Sequence, residues 1–304
     1  MNKELILNLF TQIIKQGNIL IDEPMKKHTS FKIGGPVDFL ITPGNMDEVY
    51  KSVKLCRDNN IDYMIIGNGS NLLVKDGGIR GVVIKIADKL NNIVIDEDRM
   101  IVEAGALLST ISKTALKNSL AGLEFASGIP GTIGGAMTMN AGAYGGEMKD
   151  ITEKVKCIDR HGDIIELNNE EMNFGYRKSR VEEENLIVLE VEIKLRKSNY
   201  EDVKMHMDEL NKKRTTKQPL NLPSGGSTFK RPTGYFAAKL IEDCGLKGVT
   251  HGGAQVSDKH AGFIVNIDKA TSKDVLNLIE TVKKVVRDKF KVDLETEVKI
   301  VGED

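Results

Sequence analysis

The sequence contains little cysteine, with three residues among 304 and no CxxC pair. Three widely separated thiols cannot all pair within one chain, and this usage is typical of a reducing compartment. We therefore expect a cytoplasmic protein in which Cys56, Cys157 and Cys244 are small core residues rather than reactive groups.

The sequence also lacks long apolar runs and an excess of either charge. No uninterrupted apolar stretch of about 18 residues occurs, so no membrane insertion is expected. The segment Met1–Phe10 contains Lys3 and Glu4 and lacks the apolar stretch of a signal peptide. Lysine and arginine number 43 against 44 acidic residues, and this balance gives no reason to expect nucleic-acid binding. No metal site is predicted, because none of the histidines follows an HxxxH spacing.

Apolar patterns of both periods predict an α+β fold, since helices and strands do not alternate as βαβ units. The predicted strands are 63–66, 72–74, 82–85, 93–95, 100–103, 154–158, 164–167, 186–195, 261–266 and 294–301. The predicted helices are an opening helix with Leu5, Ile6, Leu9 and Ile13 on its apolar side, then 47–59, 109–118, 201–214, 234–244 and 271–290, the last with Ser272 as N-cap. A chain of this length is longer than one hydrophobic core usually organises. The pattern of predicted helices and strands changes near residues 87–90 and 198–201, so we predict three parts: 1–87, 88–200 and 201–304.

A glycine-rich turn follows the predicted strand 63–66, with the sequence Gly67-Asn68-Gly69-Ser70-Asn71. Its glycines allow positive φ and close backbone approach. Consecutive N–H groups in such a turn form an anion-binding nest, to which Ser70 and Asn71 add side-chain donors. A pyrophosphate fits this chemistry. A plain loop is the alternative, because no third glycine completes a dinucleotide fingerprint.

A second glycine-rich segment has seven glycines between positions 128 and 146. A segment this poor in side chains predicts that a large flat ligand fills the space they leave. A flexible linker is the alternative, but a linker would be polar, whereas this stretch carries Ile129, Ile133, Met137 and Met139. Two such segments about sixty residues apart are a more specific indication than either alone.

Four further elements accompany these turns: TSFKIGG at 29–35, FGYRKS at 174–179, GSTFK at 226–230 and ETEV at 295–298. Together they resemble the UDP-N-acetylenolpyruvoylglucosamine reductase (UDP-N-acetylmuramate dehydrogenase) family, within the vanillyl-alcohol-oxidase/p-cresol-methylhydroxylase superfamily. The resemblance implies a two-lobed FAD-binding module of the PCMH type, followed by a smaller α+β substrate-binding domain. The chain resembles the short form, because the stretch from Tyr176 to Ser227 leaves no room for the substrate-closing tyrosine loop of the long form.

The resemblance also implies an activity. Members reduce UDP-N-acetylglucosamine enolpyruvate to UDP-N-acetylmuramate for peptidoglycan synthesis, with NADPH as hydride donor and FAD, here expected to be non-covalent, as carrier. A monomer or weak oligomer acting on a UDP-sugar is expected. The cofactor-binding residues implied are Gly67, Asn68, Gly69, Ser70, Asn71, Ser127, Gly128, Ile129, Gly131, Thr132, Gly134, Gly135, Asn140, Ala141 and Gly142.

Three residues match the catalytic positions of the family. Ser227 matches the proton donor, for which Lys230 is a local candidate to stabilise the oxygen charge. Arg177 can hydrogen-bond the substrate carboxylate, and Glu297 would orient the enolpyruvyl group or assist as an acid. The substrate-binding residues implied are Lys217, Arg214, Tyr176 and Lys230, with Lys217 ranked above Arg214.

The sequence leaves two alternatives to the reductase open. Another FAD-dependent oxidoreductase of the superfamily, an oxidase using oxygen, would keep both glycine-rich turns but would not need Arg177, Ser227 and Glu297 together. A non-catalytic nucleotide-binding protein would keep an anion nest without a flavin.

Overall fold

The computed structural model describes residues 3–15, 18–87 and 89–304, and its mixture of elements confirms the α+β class. Within these residues the helices are α1 (Lys3–Thr11), α2 (Met46–Asp58), α3 (Leu108–Lys117), α4 (Ile133–Thr138), α5 (Arg180–Glu183), α6 (Tyr200–Lys217), α7 (Ala237–Asp243) and α8 (Ser272–Phe290). The strands are β1 (Ile19–Pro24), β2 (Pro36–Ile41), β3 (Tyr63–Ile66), β4 (Leu72–Val74), β5 (Ile79–Lys85), β6 (Ile93–Asp96), β7 (Arg99–Glu103), β8 (Leu120–Ala121), β9 (Gly142–Ala143), β10 (Gly146–Glu147), β11 (Thr152–Ile158), β12 (Ile164–Asn168), β13 (Ile187–Lys194), β14 (Arg196–Lys197), β15 (Thr250–His251), β16 (Ala254–Val256), β17 (Ile264–Asn266) and β18 (Lys299–Val301). Of the helices in this part of the chain, none combines the length and the apolar character that a membrane crossing requires.

The chain divides into two compact units, each assembled from separate stretches of sequence. Unit 1 comprises Met1–Leu20, Phe39–Asn68 and Val82–Arg214. Unit 2 comprises Ile21–Asp38, Gly69–Gly81 and Thr215–Asp304. The division into 1–87, 88–200 and 201–304 stays a prediction. Residue 88, where its second part begins, lies outside the described residues.

A five-stranded antiparallel sheet, in the order β12-β11-β13-β7-β6, organises the described part of unit 1. Strand β13 alternates apolar residues with Glu190 and Glu192, which are half-buried, so one face of the strand is covered by the core. Helix α4 packs on β13 and β7. The sheet therefore supports the second glycine-rich segment, which contains α4.

The first glycine-rich turn begins where β3 ends. In the sheet ordered β1-β2-β5-β3, strands β3 and β5 run parallel, with Tyr63 opposite Val82. The N–H of Ile86 donates to the carbonyl of Ile66 over 2.8 Å, which holds the last residue before the turn. The turn is thus placed at the carboxyl end of a parallel strand whose last residue, Ile66, is buried.

In unit 2, α8 packs on α7 and on β15 and β16, two strands of the antiparallel sheet β15-β16-β17. The prediction of Ser272 as N-cap is wrong: Thr271 caps α8, accepting from the N–H of Asp274 and forming a capping box with it. Ser272 is the first helical residue, and its hydroxyl donates to the Asp76 carboxylate over 2.8 Å. The predicted strand 294–301 is shorter, because parallel pairing with β4 begins only at Lys299.

Two smaller predictions are settled by burial. Helix α1 buries Ile6, as predicted, together with Phe10, and Ile13 packs against the same core. The prediction is wrong for Leu5, which is 57% exposed. Cys56 and Cys157 are core residues as predicted, whereas Cys244 is only half-buried. Burial raises the pKa of the Cys56 and Cys157 thiols to about 12. Neither thiol is therefore in the reactive thiolate form near neutral pH.

Candidate functional site

The two glycine-rich segments meet in unit 1. The side-chain amide of Asn68 donates from Nδ2 to the carbonyl oxygen of Pro130 over 2.9 Å. A methyl group at Gly67 would lie closer than 3.0 Å to Thr132 Oγ1, so a residue with a side chain would push the two segments apart. The structure therefore brings Gly67 and Asn68 against the second segment.

The second segment contributes to the core of unit 1. Thr132 is the N-cap of α4, and its Oγ1 accepts from the N–H of Gly135 over 3.4 Å. Ile133 and Met137 are fully buried. The alternative of a flexible linker does not describe a segment that starts a capped helix and anchors it with buried side chains.

Protein atoms occupy the space beside several of its glycines. A Cβ at Gly128 would lie 2.7 Å from Arg214 Nε, and one at Gly146 would lie 2.7 Å from Phe125 Cδ1. The expectation that a ligand fills the space left by missing side chains is therefore wrong at these two positions. Glycine is needed there because neighbouring groups of the protein approach the backbone closely.

The first turn offers backbone donors. Among the described residues, none accepts a hydrogen bond from the N–H groups of residues 67–71. The hydroxyl of Ser70 likewise makes no hydrogen bond within this part of the chain. Consecutive uncommitted N–H groups are what an anion such as a pyrophosphate binds.

The TSFKIGG element lies against the second half of the same turn, in unit 2. Gly69 has φ +61°, in the left-handed region that favours glycine. A Cβ there would overlap the carbonyl oxygen of His28. The N–H of Ser30 donates to the carbonyl of Gly69 over 3.1 Å. The hydroxyl of Thr29 donates to the Ile33 carbonyl over 2.9 Å, which closes the element on itself.

The FGYRKS element is attached to the second glycine-rich segment within unit 1. Arg177 donates from Nη2 to the carbonyl of Gly142 over 3.3 Å. Asn140 is buried and donates from Nδ2 to the carbonyl of Gly175 over 3.1 Å. Because the Asn140 amide is used in this way, any cofactor contact at this position would come from its backbone.

The backbone at Arg177 is unusual. Its φ of +56° is in the left-handed region, which costs free energy for a residue with a side chain. The hydroxyl of the next-but-one residue, Ser179, donates to the carbonyl of Thr138 over 2.9 Å and helps to hold this turn. The Arg177 guanidinium lies 5.2 Å from the ring centre of Tyr176, which is 53% exposed. The strained turn thus presents a cation and an exposed aromatic ring together.

Arg214 lies against the same glycine-rich segment. Its side chain is only 8% exposed, packs beside Gly128 and lies 5.6 Å from the ring centre of Tyr144. Burial holds the pKa of Arg214 below its usual value, an effect that Tyr144 opposes. No acidic side chain of the described residues forms an ion pair with it. One turn earlier in α6, Asn211 Oδ1 accepts from the Ser127 hydroxyl over 3.1 Å.

In unit 2 the segments that carry Ser227 and Glu297 pair with each other. The N–H of Glu297 donates to the carbonyl of Thr228 over 2.8 Å, and the N–H of Lys230 donates to the carbonyl of Glu295 over 2.8 Å. Two catalytic candidates that are 70 positions apart in sequence are therefore neighbours in the fold. Both Ser227 and Glu297 are half-buried.

Thr228 anchors this pair to the rest of unit 2. It is fully buried, its N–H donates to the carbonyl of Gly262 over 2.8 Å, and its Oγ1 accepts from the N–H of Ile264 over 3.0 Å. On the other side, Asn71 donates from Nδ2 to the carbonyl of Glu297 over 3.2 Å. The Asn71 amide, predicted as a cofactor donor, thus contacts the catalytic candidate.

The predicted substrate lysines differ in their surroundings. Lys230 Nζ lies 3.3 Å from Glu295 Oε2, so its positive charge is already paired with a carboxylate. Lys217 is exposed at the end of α6. Burial is the main cause that holds the pKa of His260 below its usual value, and the charges of Lys247 and Lys217 lower it further while Glu242 opposes them.

Three residues of these contacts were not identified from the sequence. Tyr144 is inside the glycine-rich segment and precedes Arg214 by 70 positions, so no local pattern links them. Asn211 could have been found, because it is one helical turn before Arg214 in a predicted helix. Thr228 could have been singled out as the immediate neighbour of Ser227.

Two family models match the chain: the FAD binding domain over residues 37–168, and the C-terminal domain of UDP-N-acetylenolpyruvoylglucosamine reductase over residues 218–301. The chain is 58% identical over 295 residues to a UDP-N-acetylenolpyruvoylglucosamine reductase of Clostridium botulinum strain 657, covering 97% of this chain and 96% of that one. It is 55% identical over 303 residues to the enzyme of the same name from Clostridioides difficile strain 630, covering 100% and 99%. The crystal structure of the reductase from Thermus caldophilus is similar with a TM-score of 0.79 and 36% identity, covering 93% of this chain and 97% of that chain.

Proposed function

The chain belongs to the UDP-N-acetylenolpyruvoylglucosamine reductase family, and on that premise we propose that it reduces UDP-N-acetylglucosamine enolpyruvate to UDP-N-acetylmuramate with NADPH. The product serves peptidoglycan synthesis. The observation that carries this proposal is the pairing of the Ser227 and Glu297 segments, because a proton donor and a carboxylate matching the family's positions come together only through the fold. Identity of 55–58% over nearly the whole chain supports it.

The residues present fit FAD. The uncommitted N–H groups of residues 67–71 suit its pyrophosphate, and Asn68 holds that turn against the second glycine-rich segment. When bound, FAD supplies the hydride carrier between NADPH and the enol ether. The residues proposed to hold it are the fifteen named from the sequence. Because the side chains of Asn68, Thr132 and Asn140 make hydrogen bonds within the protein, these three residues would contact FAD through their backbone groups. The flavin is held without a covalent bond.

Ser227 is the proposed proton donor at C2 of the enolpyruvyl group. A serine hydroxyl is a poor acid at neutral pH, so its oxygen must be well positioned and its developing charge stabilised. The adjacent Thr228 supplies the positioning, because its N–H, carbonyl and hydroxyl are all hydrogen-bonded. Lys230 is the local cation, shared with Glu295.

Arg177 is proposed to hydrogen-bond the substrate carboxylate, where negative charge accumulates as the double bond is reduced. Its contact with the Gly142 carbonyl and its left-handed backbone fix the guanidinium before substrate arrives. Such preorganisation lowers the cost of binding a charged group. Glu297 is proposed to orient the enolpyruvyl group, with its peptide held by Thr228 and Asn71.

Cations are also proposed for the phosphates. Lys217 and Tyr176 are assigned to the substrate, since both are exposed, Lys217 at the end of α6 and Tyr176 in the turn before Arg177. Arg214 is a buried cation without an acidic partner among the described residues, and it lies beside Gly128. That position favours an anion held at the second glycine-rich segment, so we assign Arg214 to a phosphate there.

The protein is proposed to act in the cytoplasm as a monomer or weak oligomer, without nucleic acid. Light scattering coupled to size exclusion measures the molar mass directly. A stable dimer or larger assembly at micromolar concentration contradicts this part of the proposal.

The reaction is tested by following NADPH absorbance with purified, yellow protein and added UDP-N-acetylglucosamine enolpyruvate. NADPH oxidation that depends on this substrate is expected. Oxygen-dependent turnover without it would instead support an oxidase, and protein that carries no flavin would support a non-catalytic nucleotide-binding protein.

Ser227→Ala tests the assignment of the proton donor. Flavin reduction by NADPH is expected to persist, while transfer to the substrate falls by several orders of magnitude, beyond the ~10²–10⁴-fold that is typical of losing a general acid. Ser224→Ala, three positions earlier in the same segment, is the matched control. Equal losses in both half-reactions would contradict the role of Ser227.

A further inference from the structure

Two asparagines of the first glycine-rich turn have different partners. Asn68 donates its side-chain amide to Pro130, in the second glycine-rich segment. Asn71, three positions on, donates its amide to the carbonyl of Glu297. The same residue type in the same turn therefore contacts the cofactor segments in one case and a catalytic segment in the other.

Asn71 holds the Glu297 segment through its side chain and its backbone. Its Nδ2 is 3.2 Å from the Glu297 carbonyl oxygen, and its own carbonyl accepts from the N–H of Lys299 over 2.9 Å. The parallel pairing of β4 and β18 begins one residue later, with Leu72 opposite Lys299. The side-chain amide of Asn71 thus adds a hydrogen bond to the carbonyl of Glu297, which lies two residues before the first paired residue of β18.

The peptide of Glu297 is held from both directions. Its N–H donates to the carbonyl of Thr228, next to Ser227, and its carbonyl accepts from Asn71. Thr228 is buried, and its N–H is hydrogen-bonded to the carbonyl of Gly262, so Thr228 would stay in place if the Glu297 peptide moved. Removing the Asn71 amide would leave one of these two restraints and allow the Glu297 peptide to rotate.

We propose that Asn71 is a positioning residue for Glu297, whereas Asn68 serves the cofactor by joining the two glycine-rich segments. This inference rests on the proposed function. It replaces the assignment of the Asn71 side chain to FAD and leaves the N–H groups of the turn for the cofactor. A carboxylate placed a fraction of an ångström away from its working position is the expected consequence of losing Asn71.

The test uses the flavin-loaded enzyme with Asn71→Ala, Asn71→Gln and Asn68→Ala. The FAD dissociation constant is measured by fluorescence, and stopped-flow absorbance follows reduction by NADPH and reoxidation by the enolpyruvyl substrate separately. For Asn71→Ala we expect an FAD dissociation constant within about threefold of the parent and reoxidation slower by on the order of 10–100-fold. Asn71→Gln retains a donor and is expected to recover part of the loss. Asn68→Ala is expected to weaken FAD binding by at least about tenfold.

A double-variant cycle separates positioning from general destabilisation. In a Glu297→Ala background, Asn71→Ala is expected to slow reoxidation by less than about threefold, because the group that it positions is gone. Full flavin loading shows that the variants fold. Equal weakening of FAD binding by both asparagine variants, or an undiminished Asn71→Ala effect in the Glu297→Ala background, would overturn the inference. Failure of the unaltered enzyme to be reoxidised by the substrate would overturn the proposed function instead.

Discussion

Replacing Gly67 by alanine tests whether the close approach of the two glycine-rich segments is a property of the fold. The added methyl group would lie closer than 3.0 Å to Thr132 Oγ1, whereas 3.4 Å or more is an ordinary contact. Either the hydroxyl or the turn must shift by several tenths of an ångström. Overpacking of this kind costs about 1–3 kcal/mol. Displacement of Thr132 would also weaken its hydrogen bond to Gly135, and loss of such a cap costs about 0.5–2 kcal/mol.

The second variant, Thr132→Ala, removes the clashing oxygen. The added methyl at residue 67 would then lie 3.5 Å from the Cβ at position 132, an ordinary contact. Gly67→Ala is therefore expected to cost less than about 1 kcal/mol in this background, so the two changes are non-additive by about 1 kcal/mol or more. Gly135→Ala is the matched control, because its methyl would lie 3.6 Å from the same oxygen. We expect it to be neutral or to stabilise α4 by up to about 1 kcal/mol.

The assay is urea unfolding of the FAD-free protein followed by circular dichroism, with the midpoint and slope compared among the four variants and the parent. A parallel FAD titration shows whether the spacing of the segments also sets affinity. Gly67→Ala protein as stable as the parent would refute the reasoning, as would costs that simply add in the double variant.

Three further predictions concern other sites. Burial holds the pKa of His260 low, so the unfolded chain takes up a proton first. The free energy of unfolding should therefore fall as the pH drops below about 6.5, by at most about 1.4 kcal/mol per pH unit, and urea unfolding of His260→Gln should show a shallower fall. An unchanged slope would contradict this. Thr271→Ala should cost about 1 kcal/mol through loss of the α8 cap, and Thr271→Ser should restore most of it, as thermal unfolding can show. Arg214→Met should weaken FAD binding by about tenfold or more and change the substrate KM less; the opposite pattern, measured by FAD titration and steady-state kinetics, would move Arg214 to the substrate.

Local pattern predicted most of the longer elements, missed β1, β2 and α4, and misplaced the ends of others. Strands 63–66 and 72–74 were predicted with their observed bounds, because each is a short apolar run next to the Gly- and Asn-rich turn that lies between them. The cap of α8 was misplaced by one residue, since Thr271 and Ser272 are both good N-caps and only the Asp76 carboxylate decides between them. The start of β18 depends on its partner β4, which is more than 200 positions away.

In the candidate site, too, local pattern predicted the segments but not their distant partners. The spacing of glycines indicated two backbone-rich turns, but the reason for glycine at position 128 is the side chain of Arg214, which no local pattern shows. Asn71 illustrates the limit best. Its residue type predicts a donor, and the turn in which it lies predicts an anion, yet its partner is a carbonyl 226 positions later.

The amino-acid sequence alone was enough to predict the α+β class and the two glycine-rich turns and to indicate the family, because each depends on residue type and short spacing. The catalytic candidates followed from the resemblance to that family. Tertiary structure alone decided which groups are partners: Asn68 with Pro130, and Asn71 with Glu297. Hydrogen bonds act over about 3 Å between atoms, and only folding brings atoms that are far apart in the chain within that distance.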